Sequence, residues 1–209
     1  MVDVDGYTWQ ARLYDRVLEP MNAPLRAVAS RLVTLRPNAV VLDIGCGTGA
    51  ALADYQRAGY RVLGADPSPS MLSQAQVRLG DQADLRPMTG SAVPFDDGCA
   101  DLILLSLVLH SVSADNASDL LDEARRLVAA DGHVLITDFG VEDLRVPRGW
   151  GLRAVTALAE LAAGAAHARH AVEFLRRGGT AGLLNHTWRT VQQKHTAGGN
   201  ITITVLSPT

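Results

Sequence analysis

Short apolar runs alternating with helix-length segments predict a doubly wound α/β domain with a mostly parallel sheet and helices on both faces. Two further observations support this. The first apolar run, Ala39-Val-Val-Leu-Asp-Ile44, ends in Gly45-Cys-Gly-Thr-Gly49 and passes straight into a helix-like segment. The chain then closes on two alternating runs joined by Ala197-Gly-Gly, a hairpin signal.

The elements follow in order. Tyr7–Leu35 is helical in pattern, with a break near Pro20–Pro24. Ala39–Ile44 is the first strand. Ala50–Ala58 is a helix stopped by Gly59. Arg61–Ala65 is a second strand ending at Asp66. Ser70–Leu79 is a helix, with Ser68 or Ser70 as its cap and Gly80 behind it. Ala83–Met88 is a weaker strand and Ala100–Leu105 a strongly apolar one. Asn116–Ala129 carries Leu120, Leu121, Ala124 and Leu127-Val128 at helical spacing. Asp131-Gly132 then reads as a turn into a fifth strand, His133–Asp138. Leu152–Arg177 is Ala-rich and helical, with a break expected near Gly164. Thr187–His195 and Asn200–Leu206 form the hairpin.

Composition narrows the class. The 209 residues are 47% apolar and 20% charged, ordinary for a globular chain of one domain. Two cysteines, Cys46 and Cys99, are too few for a disulfide scaffold or a four-ligand zinc site, and no metal is expected. No signal peptide is visible. The longest apolar runs, near 102–109 and 154–166, are shorter than a membrane span, so the cytoplasm is the default compartment. A net charge of −3 argues against a nucleic-acid partner. That charge is unevenly split. Residues 145–195 hold eight Lys/Arg against two Asp/Glu, a local +6, and four of the six histidines. The remainder holds eleven against twenty, or −9.

Strand, glycine loop, helix is an arrangement that offers backbone N–H groups to a ligand at a helix N-terminus. The spacing Gly45-x-Gly47-x-Gly49-Ala50 also satisfies a dinucleotide fingerprint, and Asp66, 17 residues after Gly49, stands where an acid binds a ribose. These residues alone point to a ribose-containing cofactor without choosing one.

The flanking motifs choose. Val40-Val-Leu-Asp43-Ile-Gly-Cys-Gly-Thr-Gly49 resembles motif I of the class I S-adenosylmethionine-dependent methyltransferases. Asp66-Pro-Ser68-Pro-Ser-Met71-Leu resembles the segment after their second strand. Ala92-Val-Pro94-Phe95-Asp-Asp-Gly98-Cys-Ala-Asp101-Leu-Ile and Leu107-Val-Leu-His110-Ser-Val resemble the segments around their fourth. The four motifs occur in family order and cover about residues 38–140. The flavour is that of the small-molecule branch, which includes quinone and phospholipid methyltransferases. Tyr14-Asp15-Arg-Val-Leu resembles the tyrosine-bearing helix that often precedes the core there.

The resemblance implies a Rossmann-like sheet of seven strands with a reversed last strand. It implies S-adenosylmethionine as cofactor and a small-molecule methyl acceptor as partner. Asp43 would fix the methionine end, with Gly45, Gly47 and Gly49 letting the backbone approach. Asp66 would accept the ribose hydroxyls, Ser68 and Met71 would line the adenine pocket, and Gly90 and Ser91 would meet the adenine amine. Ser106 and Leu107 would pass under the sulfonium, and Tyr14 would close the site. One departure is that Thr89, Gly90 and Ser91 stand where many relatives have an acid. Contact there would run through the backbone.

Methyl transfer is an in-line displacement that needs alignment and exclusion of water. Where the acceptor needs a base, His110, just past the fourth strand, is the best-placed candidate, the alternative being a histidine that packs the following turn. Asp138 ends the fifth strand at the same edge. Tyr7 and Trp9 are further lid candidates. His167, Arg169 and His170 are either a solvated face or an electropositive rim. The stripe Leu152, Val155, Leu158, Ala159 and Ala162 covers the site mouth or docks on lipid.

The expected organisation is one domain. A helical lid spans 1–35, a cofactor-binding core 36–140, a helical substrate cover 141–180 and the hairpin 181–209. Other readings stay open: a membrane-surface phospholipid or quinone methyltransferase, a cofactor-binding regulator without catalysis, and a nicotinamide-dependent oxidoreductase.

Overall fold

A computed structural model of the chain describes residues 22–141, 151, 153, 156, 157, 161 and 164–209. At its centre is β1 (Val40–Ile44), whose apolar run is buried because strands flank it on both sides. It pairs in parallel with β2 (Arg61–Asp66) and β4 (Ala100–Ser106). β3 (Asp84–Pro87) extends the sheet beyond β2, and β5 (Val128–Phe139) extends it beyond β4, both in parallel. β7 (Ile201–Pro208) runs antiparallel to β5, and β6 (Trp188–Thr196) runs antiparallel to β7. Among the described residues, seven strands thus form one sheet in the order β3-β2-β1-β4-β5-β7-β6. The reversed strand is β7, as the resemblance implies. The direction of winding changes between β1 and β4, and a crevice opens at the carboxyl ends of strands at such a switch point.

Helices cover the sheet. α1 occupies 22–29, and α2 (Ala50–Arg57) follows the glycine loop. α3 (Pro69–Leu79) begins at Ser68, whose hydroxyl accepts the Met71 N–H; Pro69 opens the first turn, where a missing N–H costs nothing. α4 (Ala114–Leu127) is capped by Ser113 and buries Leu120, Leu121, Ala124 and Leu127, the stripe read from spacing. α5 (Ala165–Arg176) starts after Gly164, which at φ +123° supplies the expected break. The core lies between these layers, with Leu42, Ile44, Leu52, Leu102, Ile103, Leu105, Ile136 and Ile203 fully buried.

Three expectations are corrected. Asp131-Gly132 is not a turn between elements. β5 runs through it, and the register against β4 jumps from Ala100↔Val128 to Leu102↔His133, a bulge within one strand. Gly132 is needed there, because a Cβ would fall 2.7 Å from Val128 Cγ2 and 3.0 Å from the Asp101 carbonyl oxygen. Pro24 lies inside α1, while Pro20 and Met21, the start of the expected break, lie outside the described residues. The helix ends at 29 instead of reaching Leu35, consistent with β-branched Val33 and Thr34 and with Pro37, which disfavours helical backbone at the residue before it. Tyr7, Trp9, Tyr14 and the stripe from Leu152 to Ala162 lie outside the described residues.

Candidate active site

A cavity of about 270 Å³ opens at the switch point. Its floor is the glycine loop and the ends of β1, β4 and β5, and α1 lies across it. Of the residues expected to hold the cofactor, Asp43, Gly45, Gly47, Met71, Ser106 and Leu107 line this cavity. Gly49, Asp66, Ser68, Gly90 and Ser91 do not, and neither does His110, the base candidate.

The three loop glycines answer three different demands. All have positive φ, +76° at Gly45, +53° at Gly47 and +74° at Gly49. A Cβ on Gly45 would meet Val108 Cγ2 at 2.7 Å, so this glycine admits the turn after β4. A Cβ on Gly49 would meet Leu79 Cδ1 at 2.9 Å and Ala75 Cβ at 3.1 Å, so this one admits α3. At Gly47 the space is open, and here the bare backbone faces the cavity. Asp66 pins this loop from the end of β2. Its Oδ2 accepts the Gly47 N–H at 2.8 Å and its Oδ1 accepts the Ser68 N–H at 2.8 Å. Burial raises its pKa, and those two amides oppose the shift.

Asp43 is the most constrained group in the site. It is 2% exposed, and its Oδ1 is buried with no hydrogen-bond partner. Burial pushes its pKa up to about 8, the nearby Asp66 adds to the rise, and Arg26 on α1 pulls against it. Arg26 lines the same cavity and its Nε donates to Asp54 Oδ2 of α2 at 2.8 Å. An ammonium placed against Asp43 would satisfy the orphaned oxygen and favour the ionised form. Binding of an amino-acid zwitterion should therefore release a proton below pH 8. Affinity for S-adenosylhomocysteine is expected to climb as pH rises from 6 to 8, by at most about tenfold per unit, and then level off. Calorimetry in two buffers of different ionisation enthalpy reads the proton released.

The remaining candidates are distributed around this centre. Gly90 adopts φ +60° in a turn closed by the Thr89–Ala92 pairing, with open space where a side chain would stand. That suits contact through the main chain. Arg126 of α4 holds the segment behind this turn, donating to the carbonyls of Val93 and Phe95 at 3.0 and 2.9 Å. His110 is 4% exposed, with its Nδ1 2.6 Å from Asp138 Oδ1 and its ring stacked on Phe139. Cys46 lines the cavity, but burial, helped by Asp43 and Asp66, drives its thiol pKa upward, so it stays protonated and unreactive at neutral pH. Arg26, Asp54 and Thr137 line the cavity without having been singled out from the sequence. No motif marks them; α1 brings in Arg26, α2 Asp54 and β5 Thr137.

A seven-stranded sheet with one reversed strand, a glycine loop after β1 and acids ending or flanking β1 and β2 define the class I methyltransferase architecture. Residues 42–136 match the family described as the methyltransferase domain. The chain is 33% identical over 134 residues to a demethylmenaquinone methyltransferase of Tropheryma whipplei (strain Twist), covering 62% of this chain and 55% of that one. It is 31% identical over 122 residues to a demethylmenaquinone methyltransferase of Thermobifida fusca (strain YX), covering 54% and 50%. An O-methyltransferase family protein from Burkholderia thailandensis shares the fold, with a TM-score of 0.71 at 20% identity over 95% of this chain and 59% of that one. The chain spans about half the length of the curated relatives it matches. The matched stretch, residues 42–136, is thus similar to methyltransferase domains, a likeness that implies S-adenosylmethionine as cofactor.

Proposed function

We propose that this chain transfers a methyl group from S-adenosylmethionine to a small-molecule acceptor and releases S-adenosylhomocysteine. The observation that carries the reading is Asp43, which lines a cavity floored by the glycine loop and has a buried Oδ1 with no hydrogen-bond partner. Asp43 would take the cofactor's ammonium, and Arg26, across the same cavity, its carboxylate. Asp66 would take the ribose hydroxyls with the lone pairs its two amide bonds leave over. Ser68 and Met71 would line the adenine pocket, with Gly90 and Ser91 offering main-chain contacts. Ser106 and Leu107 would lie under the sulfonium, and Tyr14 would act as the lid. The bound cofactor supplies an activated methyl group, so the chain's own work is to align the acceptor and exclude water. His110 is the general-base candidate for an acceptor that must lose a proton, with Asp138 orienting its ring.

The division into lid, core, cover and hairpin belongs to this reading. So does a cytoplasmic location without a nucleic-acid partner. No described helix is long and apolar enough to cross a membrane. A quinone or phospholipid acceptor taken from a membrane surface is the second reading, favoured by the relatives named as demethylmenaquinone methyltransferases. Thermal melting with S-adenosylhomocysteine and with nicotinamide dinucleotides tests the cofactor. Stabilisation by the former alone is expected, and stabilisation by a nicotinamide overturns the reading. Release of S-adenosylhomocysteine with a panel of quinols, phenols and amines then separates an enzyme from a cofactor-binding regulator.

A further inference from the structure

The end of β5 grips the turn after β4 in a way that the cofactor contacts leave unexplained. Asp138 is fully buried, yet its two carboxylate oxygens serve four donors. Oδ2 accepts the N–H groups of Leu109 at 2.9 Å and His110 at 3.3 Å. Oδ1 accepts the Phe139 N–H at 2.7 Å and the Nδ1–H of His110 at 2.6 Å. One residue earlier, the Thr137 carbonyl accepts the Leu107 N–H at 2.8 Å. Two consecutive residues of β5, Thr137 and Asp138, therefore hold Leu107, Leu109 and His110 in place.

What they hold bears directly on the cavity. Leu107 has φ +58°, a conformation that costs a non-glycine residue about 1–2 kcal/mol and persists only where its surroundings enforce it. Leu107 and Val108 both line the cavity, and Val108 fills the space where Gly45 lacks a side chain. On its other side the same turn seats α5. The His110 ring, stacked on Phe139 at 4.1 Å, meets the edges of His167 at 5.8 Å and Phe174 at 6.5 Å, and His170 Nδ1 lies 3.2 Å from the Ser111 carbonyl oxygen. Apolar packing alone would press this turn onto the sheet without fixing its register. A desolvated carboxylate is costly to bury, and its four directional bonds do fix that register.

We propose that Asp138 is a positioning residue for the cofactor cavity: its carboxylate fixes the Leu107–Val108 wall against the glycine loop and seats α5 on the same turn. This rests on the methyltransferase reading of the cavity. The test compares the full-length wild-type chain with Asp138→Asn and, as a matched control, Asp101→Asn. Asp101 lies at the opposite end of β4, where it accepts the Val40 N–H at 2.8 Å and a guanidinium N–H of Arg36 at 2.6 Å. The readouts are S-adenosylhomocysteine affinity by calorimetry, melting temperature, and amide exchange at Leu107, Leu109 and His110. Asp138→Asn is expected to lose affinity by about tenfold or more, with exchange at Leu109 and His110 faster by a similar factor. Asp101→Asn should stay within about twofold of wild type at a comparable drop in melting temperature. If Asp138→Asn does not fold, Asp138→Ser, which keeps one acceptor, takes its place with the same expectation. Wild-type affinity in the Asp138 variant overturns the proposal, and so does an equal loss in both variants. A wild-type chain that binds no S-adenosylhomocysteine overturns the cofactor reading as well, and that separates the two failures.

Discussion

Asp43→Asn is expected to abolish tight cofactor binding while making the empty protein more stable at pH 8. The two effects have one cause. In the folded chain this carboxyl is held up to about 8 by burial and by Asp66, against 3.8 for an unperturbed side chain. A raised pKa favours the folded state in its protonated form, so that contribution is complete below about pH 4 and is lost as pH climbs towards 8. At pH 8 the site carries a buried, incompletely paired carboxylate, and an amide of the same shape removes that penalty. The amide also removes the only charge at Oδ1 that can meet an ammonium. Breaking one side of a buried charge pair costs about 2–5 kcal/mol, so S-adenosylhomocysteine affinity should fall by about a hundredfold or more. Calorimetry and thermal melts from pH 5 to 8 check both halves. A variant that binds normally, or whose empty form melts lower at pH 8, contradicts the assignment.

Asp66→Ala should also abolish binding, but with the opposite effect on stability. Its carboxylate joins the glycine loop to the start of α3 through the amides of Gly47 and Ser68. Removing it leaves two N–H groups without their charged acceptor, a loss of about 2–4 kcal/mol. Urea unfolding should show that loss, and calorimetry should show no uptake of S-adenosylhomocysteine at concentrations that saturate wild type. Unchanged affinity would contradict the ribose role. The pair of variants is diagnostic because both lose the ligand, while only one loses fold stability.

Much of the architecture was legible before any coordinates. The strands ending at Ile44, Asp66 and Ser106 are each built on a short unbroken apolar stretch, which can be buried on both faces inside a parallel sheet. The gap between Gly59 and Arg61, the cap at Ser68 and the break at Gly164 are local signals that tertiary packing did not override. Asp131-Gly132 carries the same kind of local signal, and there packing prevailed: β4 offers a continuous row of partners, and a bulge costs less than ending the strand. The placement of Asp43 and Asp66 beside the glycine loop was legible because each stands at or beside a strand end. Arg26 was not, since it reaches the cavity from a helix that precedes the core, 28 residues from the Asp54 it pairs with.

The sequence by itself determined the order of strands and helices, the glycine loop and the acids that face it, because hydrophobic periodicity and turn chemistry act over a few residues. Only the tertiary structure decided that Arg26 opposes Asp43, that Asp43 is left with an unpaired oxygen, and that Asp138 grips the turn bearing Leu107. Those facts depend on which strands become neighbours, and on burial raising the cost of every charge and hydrogen bond placed between them.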